Sequence, residues 1–480
     1  MPRRVVLFAV FVALGAAALA QPPMREWLPG DSHIHSHWSP GYDRRKNPPE
    51  AIIGMDAMYA TPKNAAMARQ FGLRWMVTTD HGGPNHAKLN LTQAYQELKS
   101  SRRLVPDLIQ FYGMELNMPA MDHHTLIVPR TADEWSVLFE LESRFDANQV
   151  FPREPARHSE AAARAALLYM ARLPRLPLVF ANHPSRSAPS SGGYGLDEPR
   201  EFRAHNSVAP RVYRGMEGGP GHQAGGLATD GAPKRDRAGR LTGSRGGYRA
   251  APTRGGFDPM TSVVGGLWDA LLAEGRRFWI VASSDSHTHY TETSRSGADF
   301  WPGEFHKTYV FARPHADDIL DGLRGGRMFA VAGDVITALD VTAASDGRSA
   351  AIGGELRVRP GQPVRVTVRF RAPARDAANR DKAGVTRIDV ITGQLIRPPT
   401  DANADHNPTT RVIGRFGADQ WRANGADRLI EIVLPPLTRS GYLRIRGTNT
   451  FDLEPLPDQP GENPWTDLWF YSNPIFLTVD

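Results

Sequence analysis

Residues 278–287, FWIVASSDSH, join a short apolar run to a serine pair, an aspartate and a histidine. An apolar run of this length predicts a buried strand. Four further segments contain a short apolar run and are likewise predicted to be buried strands: RWMVTTDH (74–81), LIQFYGMEL (108–116), HTLIVP (124–129) and PLVFANHP (177–184). Segments with helical periodicity lie between or after them, at 62–72, 92–102, 132–145, 160–173, 265–277 and 316–327. This alternation predicts a parallel α/β architecture over residues 30–330.

The sequence changes character after Gly333. Apolar and polar residues then alternate in five segments separated by turn residues: 357–370, 386–396, 428–437, 441–447 and 473–480. This pattern predicts antiparallel strands with one buried face. We therefore expect an α/β domain at 21–334 and a small antiparallel β-sandwich domain at 335–480. The second domain could serve packing against the first, or the docking of a substrate or partner.

Residues 218–256 are rich in Gly, Ala and Arg and have no apolar period. Such a composition predicts a long flexible loop. The segment follows Met216 and Glu217, which end a predicted strand. Two interpretations are open, a disordered insertion and a lid over an active site.

Residues 1–20 have the pattern of a cleaved signal peptide. Arg3 and Arg4 precede an apolar run, and Ala18-Leu19-Ala20 gives a cleavage site with small residues at both ends. The run is short for a membrane span and has no charged stop, so we favour cleavage over anchoring. We expect a periplasmic or secreted protein without stable membrane insertion.

Composition excludes several classes of site and partner. The chain has no cysteine, which rules out disulfides, a lipid-anchored lipoprotein, a thiolate zinc site and a cysteine nucleophile. Its formal net charge of +6 comes from interspersed Lys and Arg rather than from one basic element. A nucleic-acid partner is therefore not expected.

Histidine and carboxylate side chains recur at the ends of the predicted strands. They are His33 and His35 in DSHIHSHW (31–38), Asp80 and His81, Glu115, His183, and Asp285 and His287, while His124 begins its strand. The carboxyl ends of parallel strands in a barrel meet at one face, so these side chains are expected to converge. One such residue alone is a weak signal, because Asp and Ser often cap the following helix. Repetition at five strand ends predicts a metal site.

Imidazoles and carboxylates without thiolates suit zinc, manganese or iron. His33 and His35 lie on the same side of an extended strand, so both can reach one ion. Glu115 is placed to bridge two ions. A centre of two or three divalent ions favours hydrolysis, in which a metal-bridging hydroxide attacks phosphorus or a carbonyl carbon.

Four residues are candidates for catalysis: Glu115, Asp285, Asp80 and Arg186. The carboxylates of Asp80 and Asp285 would bind metal or orient imidazoles. Arg186, in NHPSRS, would contact an anionic group of the substrate, with a solvated surface arginine as the alternative.

The segments DSHIHSHWS, VTTDHG, YGMEL, HHTL, FANHP and SSDSH occur in the order found in the PHP (polymerase and histidinol phosphatase) superfamily, which the chain resembles. KTYVFARPHADDILDGLRGGRMFAVAGDVI and the terminal WFYSNPIFL resemble secreted members of its carbaryl-hydrolase branch. The resemblance covers most of residues 30–335. It implies a distorted seven-stranded β/α barrel with a di- or trinuclear metal centre that acts on phosphate esters, other esters or carbamates.

The resemblance also implies a ligand set: His33, His35, His81, Glu115 as the bridging carboxylate, His124 rather than His123, His183, Asp285 and His287. One position departs from the family. An aspartate is usual seven residues after the first histidine, where this chain has Pro40. Asp43 or His37 could replace it; otherwise the third ion is weakened or absent.

The sequence therefore leaves three functions open. The first is cleavage of a small phosphoester, such as a phosphodiester, and the second is cleavage of a carboxyl ester or carbamate. The third is a non-catalytic envelope protein that binds metal or carbohydrate. A nuclease is disfavoured, since no basic and aromatic groove is evident.

Overall fold

The computed structural model describes residues 24–375 and 384–480. Its strands form a mixed sheet of 15 strands, an antiparallel sheet of five strands and a two-stranded hairpin. The strands up to residue 332 are β1 Glu26–Ile34, β2 Gly41–Asp43, β3 Glu50–Ile52, β4 Trp75–Thr78, β5 Ile109–Asn117, β6 His123–Ile127, β7 Leu178–Ala181, β8 Tyr213–Gly219, β9 Trp279–Ala282, β10 His306–Ala312 and β11 Met328–Ala332. The predicted signal peptide at 1–20 lies outside the described residues.

Helices connect most of these strands. They are α1 Thr61–Gln70, α2 His86–Leu89, α3 Tyr95–Leu104, α4 Glu134–Phe145, α5 Glu160–Met170, α6 Pro199–Val208, α7 Pro259–Ser262, α8 Leu267–Ala273 and α9 Ala316–Gly325. The mixed α/β class expected for this part of the chain is confirmed.

The strands that precede the polar residues are not all parallel. β1, β4 and β5 pair in parallel, as do β7, β8 and β9, but β6 is antiparallel to both β5 and β7. The prediction of a wholly parallel sheet is therefore wrong at β6. Residues 118–122, which link β5 to β6, are too few for the crossover that parallel pairing requires.

The chain after β9 returns to the end of β1. His35 N donates to Ser286 O at 3.1 Å, and Asp285 N donates to His33 O at 3.0 Å. Ile34 and Ser286 form a parallel bridge. The polar ends of β1 and β9 are thereby held side by side.

The C-terminal strands belong to two sheets. The five-stranded antiparallel sheet contains β12 Ala338–Ser345, β13 Arg348–Ala351, β15 Val364–Arg371, β18 Arg422–Asn424 and β19 Asp427–Leu434. The large sheet includes β14 Glu355–Val358, β16 Arg387–Gln394, β17 Arg411–Gly417, β20 Gly441–Thr448, β21 Trp469–Ser472 and β22 Ile475–Val479. Since β11 pairs with β21, strands from both sides of position 334 share the large sheet.

Residues 218–256 pack against the rest of the molecule although they contain little regular structure. A 3-10 turn spans Arg245–Gly247, and the side chains of Gln223, Arg245 and Tyr248 are buried. Among the helices of the described ranges, none is both long and apolar enough to cross a bilayer.

Candidate metal centre

Four buried side chains from three strand ends form the centre of the cluster: His33, His35, Glu115 and Asp285. Nε2 of His33 lies 3.3 Å from Glu115 Oε1 and 3.2 Å from Asp285 Oδ1. Nε2 of His35 lies 3.3 Å from Glu115 Oε2 and 3.1 Å from Asp285 Oδ1. The alternation of His33, in β1, and His35, one residue beyond its end, directs both rings to the same point, as expected from their spacing.

Three more imidazoles surround the Glu115 carboxylate. Nδ1 of His81 lies 2.9 Å from Oε2, while His183 Nε2 and His123 Nδ1 lie 3.1 Å and 3.4 Å from Oε1. Glu115 thus stands between two groups of imidazoles, the position in which a carboxylate can bridge two ions.

A third group of ligand atoms lies on the outer side of His81. Oδ2 of Asp56 is 3.4 Å from His287 Nε2 and 3.7 Å from His81 Nε2. Ser39 Oγ donates to the same Asp56 oxygen at 2.9 Å. His35, Asp56, His81 and His287 could together hold a metal ion.

The second oxygen of Asp285 contacts cationic groups. His222 Nε2 lies 3.0 Å and Arg186 Nη1 3.3 Å from Asp285 Oδ2. The other nitrogen of His222, Nδ1, bonds Asp299, which accepts the backbone N–H of His287 at 2.7 Å. Arg186 is therefore part of the cluster's wall, and its contact with an anionic substrate group stays a prediction.

Two further carboxylates support the cluster from behind. Glu217, in β8, bonds His33 Nδ1 at 2.7 Å and accepts the His183 backbone N–H at 2.8 Å. The first bond leaves His33 Nε2 facing the cluster. Asp80 instead accepts the backbone N–H of Ser36 at 2.6 Å and its hydroxyl at 2.9 Å. Asp80 thereby fixes the turn after His35, whereas the sequence suggested contact with metal or imidazole.

Opposite charges hold the carboxylates of the cluster ionised. Burial opposes ionisation of Glu115, but His81, His123 and His33 lower the pKa of this carboxyl well below its usual range. Burial likewise opposes ionisation of Asp285, whose pKa His33 and His222 hold well below its usual value. For His81 burial dominates and lowers the pKa to about 4. His81 is therefore charged only in acid, and near pH 7 the positive charge beside Glu115 comes from His33 and His123, whose pKa values the neighbouring carboxylates raise against the effect of burial. The neutral His81 ring offers the lone pair that a metal ligand requires.

Unpaired polar atoms show that the residues fit a cation. Asp285 Oδ1 and His123 Nδ1 are buried and form no hydrogen bond, although His35 Nε2 lies 3.1 Å from the first atom and Glu115 Oε1 lies 3.4 Å from the second. Buried polar atoms are normally paired, and an unpaired acceptor costs free energy. A divalent ion bound by the imidazole nitrogens and carboxylate oxygens would satisfy these atoms, and the donor set of nitrogen and oxygen suits zinc, manganese or iron.

Of the two neighbouring histidines of β6, His123 faces the cluster and His124 does not, which is the reverse of the expectation. His124 turns away from the cluster: Nε2 lies 3.1 Å from the Tyr213 hydroxyl, and Nδ1 lies 3.1 Å from Asp122 O. In the β5–β6 pair, His123 stands opposite Asn117 and His124 opposite Leu116. Since opposed residues share a face and Glu115 faces inward, His123 faces inward with it.

Neither candidate replacement for Pro40 reaches the cluster. Asp43 pairs with Arg45 at 2.8 Å, and His37 pairs with Glu97 at 2.9 Å. Asp56, which the sequence gave no reason to select, contacts His81 and His287 instead. It follows the β2–β3 hairpin, whose path decides its position. Asp299 was also missed, because it does not end an apolar run.

No protein-family model matches the chain, and no curated protein matches it.

Proposed function

We propose that the protein is a metal-dependent hydrolase of the PHP type that cleaves phosphoesters, with phosphodiesters as the preferred class. The observation that carries the proposal is the crowding around one buried carboxylate. Nitrogens of five histidines, His33, His35, His81, His123 and His183, lie within 3.4 Å of Glu115. Such a set is costly to bury unless it binds a cation.

The strand order supports the family assignment. β1, β4, β5, β6, β7, β8 and β9 follow one another in the large sheet, and hydrogen bonds join the chain after β9 to β1. This connectivity is compatible with a distorted seven-stranded barrel, which we propose as the fold of this part. The leader sequence supports export to the periplasm or beyond.

The chain's own residues would bind and orient the substrate. Bound divalent ions would supply Lewis acidity and lower the pKa of water. His33, His35, His81, Glu115, His123, His183, Asp285 and His287, with Asp56, would hold two or three such ions. Glu217 fixes the His33 ring, and Arg186 places a guanidinium beside Asp285.

Charge around the centre favours an anionic substrate. A cavity of about 340 Å³ over the cluster is lined by the cationic groups Arg186, Arg295 and His222 and by the carboxylates Asp56, Asp285 and Asp299. Divalent ions bound to the carboxylates would leave the cationic groups in excess. Guanidinium groups bind phosphate oxygens through paired hydrogen bonds. A phosphodiester therefore fits this wall better than a neutral ester or carbamate does.

The test compares two chromogenic substrates. Protein purified without its leader and loaded with Mn²⁺ or Zn²⁺ is given bis(4-nitrophenyl) phosphate or 4-nitrophenyl N-methylcarbamate. We expect faster cleavage of the phosphodiester, loss of activity after chelation and recovery when metal is restored. Glu115→Ala should lower kcat by at least about a hundredfold while the protein still folds.

Glu140→Ala is the matched control, since Glu140 lies on α4 and pairs at the surface with Arg144. It should retain full activity. Preferential cleavage of the carbamate would assign the protein to the ester and carbamate class instead. Retention of metal with no hydrolysis of either compound would favour a non-catalytic binding protein.

A further inference from the structure

A second cavity opens beside the proposed metal centre. It has a volume of about 550 Å³ and shares Asp56 and His81 with the cavity over the cluster. Small-molecule sites typically have volumes of about 300–1,000 Å³. The space is therefore large enough for an organic group attached to the ester. We call it the side cavity.

Two glycines after His81 shape the inner end of the side cavity. A Cβ on Gly83 would lie 2.4 Å from the Tyr42 hydroxyl, and a Cβ on Gly82 would lie 2.2 Å from the Asp146 carboxylate. Only glycine lets these neighbours come so close to the chain that carries His81. The sequence DHGG thus joins a proposed ligand directly to the cavity wall.

The walls divide into an apolar part and a cationic part. Tyr42, Val150 and Phe151 line the cavity with prolines from three loops, and Phe151 is 47% exposed. Arg44 and Arg153 line the cavity and are exposed. Among its described lining residues, Asp56 at the metal end is the only acidic one. Arg153 is oriented by Asn148, whose side-chain oxygen accepts from Nη2 at 2.7 Å.

We infer that the side cavity binds the non-reacting part of the substrate, a ring-sized apolar group that carries an anionic substituent at the end remote from the metal centre. This inference rests on the proposed function. The apolar group would pack against Phe151, and the anion would pair with Arg153. The ester's phosphoryl group would meanwhile lie at the cluster, beside Asp56 and His81.

Three non-hydrolysable ligands separate these contributions. Methylphosphonate, phenylphosphonate and 4-carboxyphenylphosphonate are titrated calorimetrically into the Mn²⁺-loaded protein. We expect phenylphosphonate to bind about tenfold more tightly than methylphosphonate, as burial of a ring face predicts. The carboxylate should add about two- to fivefold, the range of an exposed ion pair.

Two variants test which part of the cavity wall, apolar or cationic, produces each gain in affinity. Phe151→Ala should remove most of the preference for phenyl over methyl, and Arg153→Gln should remove the gain from the carboxylate. Their matched controls are Phe139→Ala and Arg144→Gln, both on α4 and outside the cavity lining. Binding of methylphosphonate should be unchanged in all four variants, which shows that the centre is intact.

The outcomes distinguish the inference from the proposed function. Equal affinity for the three ligands, or preferences unchanged by Phe151→Ala and Arg153→Gln, would overturn the inference alone. Failure of methylphosphonate to bind the metal-loaded protein would overturn the proposed function, and the inference would fall with it.

Discussion

At the scale of single residues, His86 is the histidine whose charge is best defined outside the cluster. Its Nδ1 lies 2.6 Å from Glu142 Oε1, and its Nε2 lies 3.0 Å from Trp38 O. Both partners are acceptors, so both ring nitrogens carry protons and the ring is an imidazolium. Burial opposes this charge, but Glu142 prevails and raises the pKa of His86 to about 9.

This pKa makes the stability of the protein depend on pH. The folded pKa of His86 exceeds the unfolded value of 6.5, so the folded state retains the proton. The resulting stabilisation is complete below pH 6.5 and is lost as the pH rises to about 9. We expect a loss of up to about 3 kcal/mol in the free energy of unfolding, measured by urea denaturation between pH 6 and 9.5.

His86→Gln should be less stable at pH 6, because Glu142 is left buried without its cation, and should lose this pH-dependent step. His406→Gln, at an exposed position, serves as the control and should keep the wild-type profile. An unchanged profile in His86→Gln would contradict the assignment of the charge.

The sequence revealed those site residues whose position follows from local spacing. His33 and His35 alternate on one strand, and Glu115 and Asp285 lie at or just beyond the ends of apolar runs, so their convergence could be expected. Asp56 could not be found in this way. Its contact with His81 and His287 depends on how the chain folds back after the β2–β3 hairpin, which no periodicity in the sequence encodes.

At the scale of secondary structure elements, the apolar runs located the strands but not their directions. HTLIVP was correctly assigned to a strand, observed as β6, but this strand is antiparallel to both neighbours. The direction depends on the length of the link from β5. The antiparallel direction of β6 also explains why this strand contributes a histidine from its first residue, since its N-terminal end lies beside the carboxyl ends of β5 and β7.

The pairing of β1 with β4 requires a glycine. The Trp75 side chain packs against Gly30, where a Cβ would be 1.9 Å from the indole ring, and its Nε1 donates to Leu28 O at 3.1 Å. Gly30→Ala would force Trp75 or the strand to move. We expect a loss of at least about 2 kcal/mol in the free energy of unfolding, measured by urea denaturation.

Gly384→Ala provides the comparison, because a Cβ at Gly384 meets no atom of the described residues within 4 Å. Its stability should stay within about 0.5 kcal/mol of wild type. Equal stability of the two variants would show that Trp75 moves without cost.

At the scale of the whole molecule, one buried arginine connects the 218–256 segment to the C-terminal part of the chain. The Arg245 side chain is 0% exposed, and its Nη1 lies 2.6 Å from Asp467, 3.0 Å from Glu462 and 3.4 Å from Asp458. Its Nε donates to Gln223 Oε1 at 3.2 Å, within the segment itself.

The same segment supplies His222, which contacts Asp285. The C-terminal part therefore helps to fix a wall of the proposed metal centre.

Arg245→Met should loosen this connection. Removing the cation leaves three carboxylates together, and breaking a buried ion pair costs about 3–5 kcal/mol. Burial and the neighbouring Asp458 and Glu462 already raise the pKa of Asp467 to about 7 despite Arg245, so part of this cost is relieved by protonation.

For Arg245→Met we expect faster cleavage by trypsin within 218–256 and a lower melting temperature. Arg240→Met, whose side chain is 80% exposed and pairs with the nearby Asp236, also removes one tryptic site; it should leave the melting temperature unchanged and should not speed cleavage. Wild-type cleavage rates and melting temperature in Arg245→Met would mean that the segment is held by its other contacts.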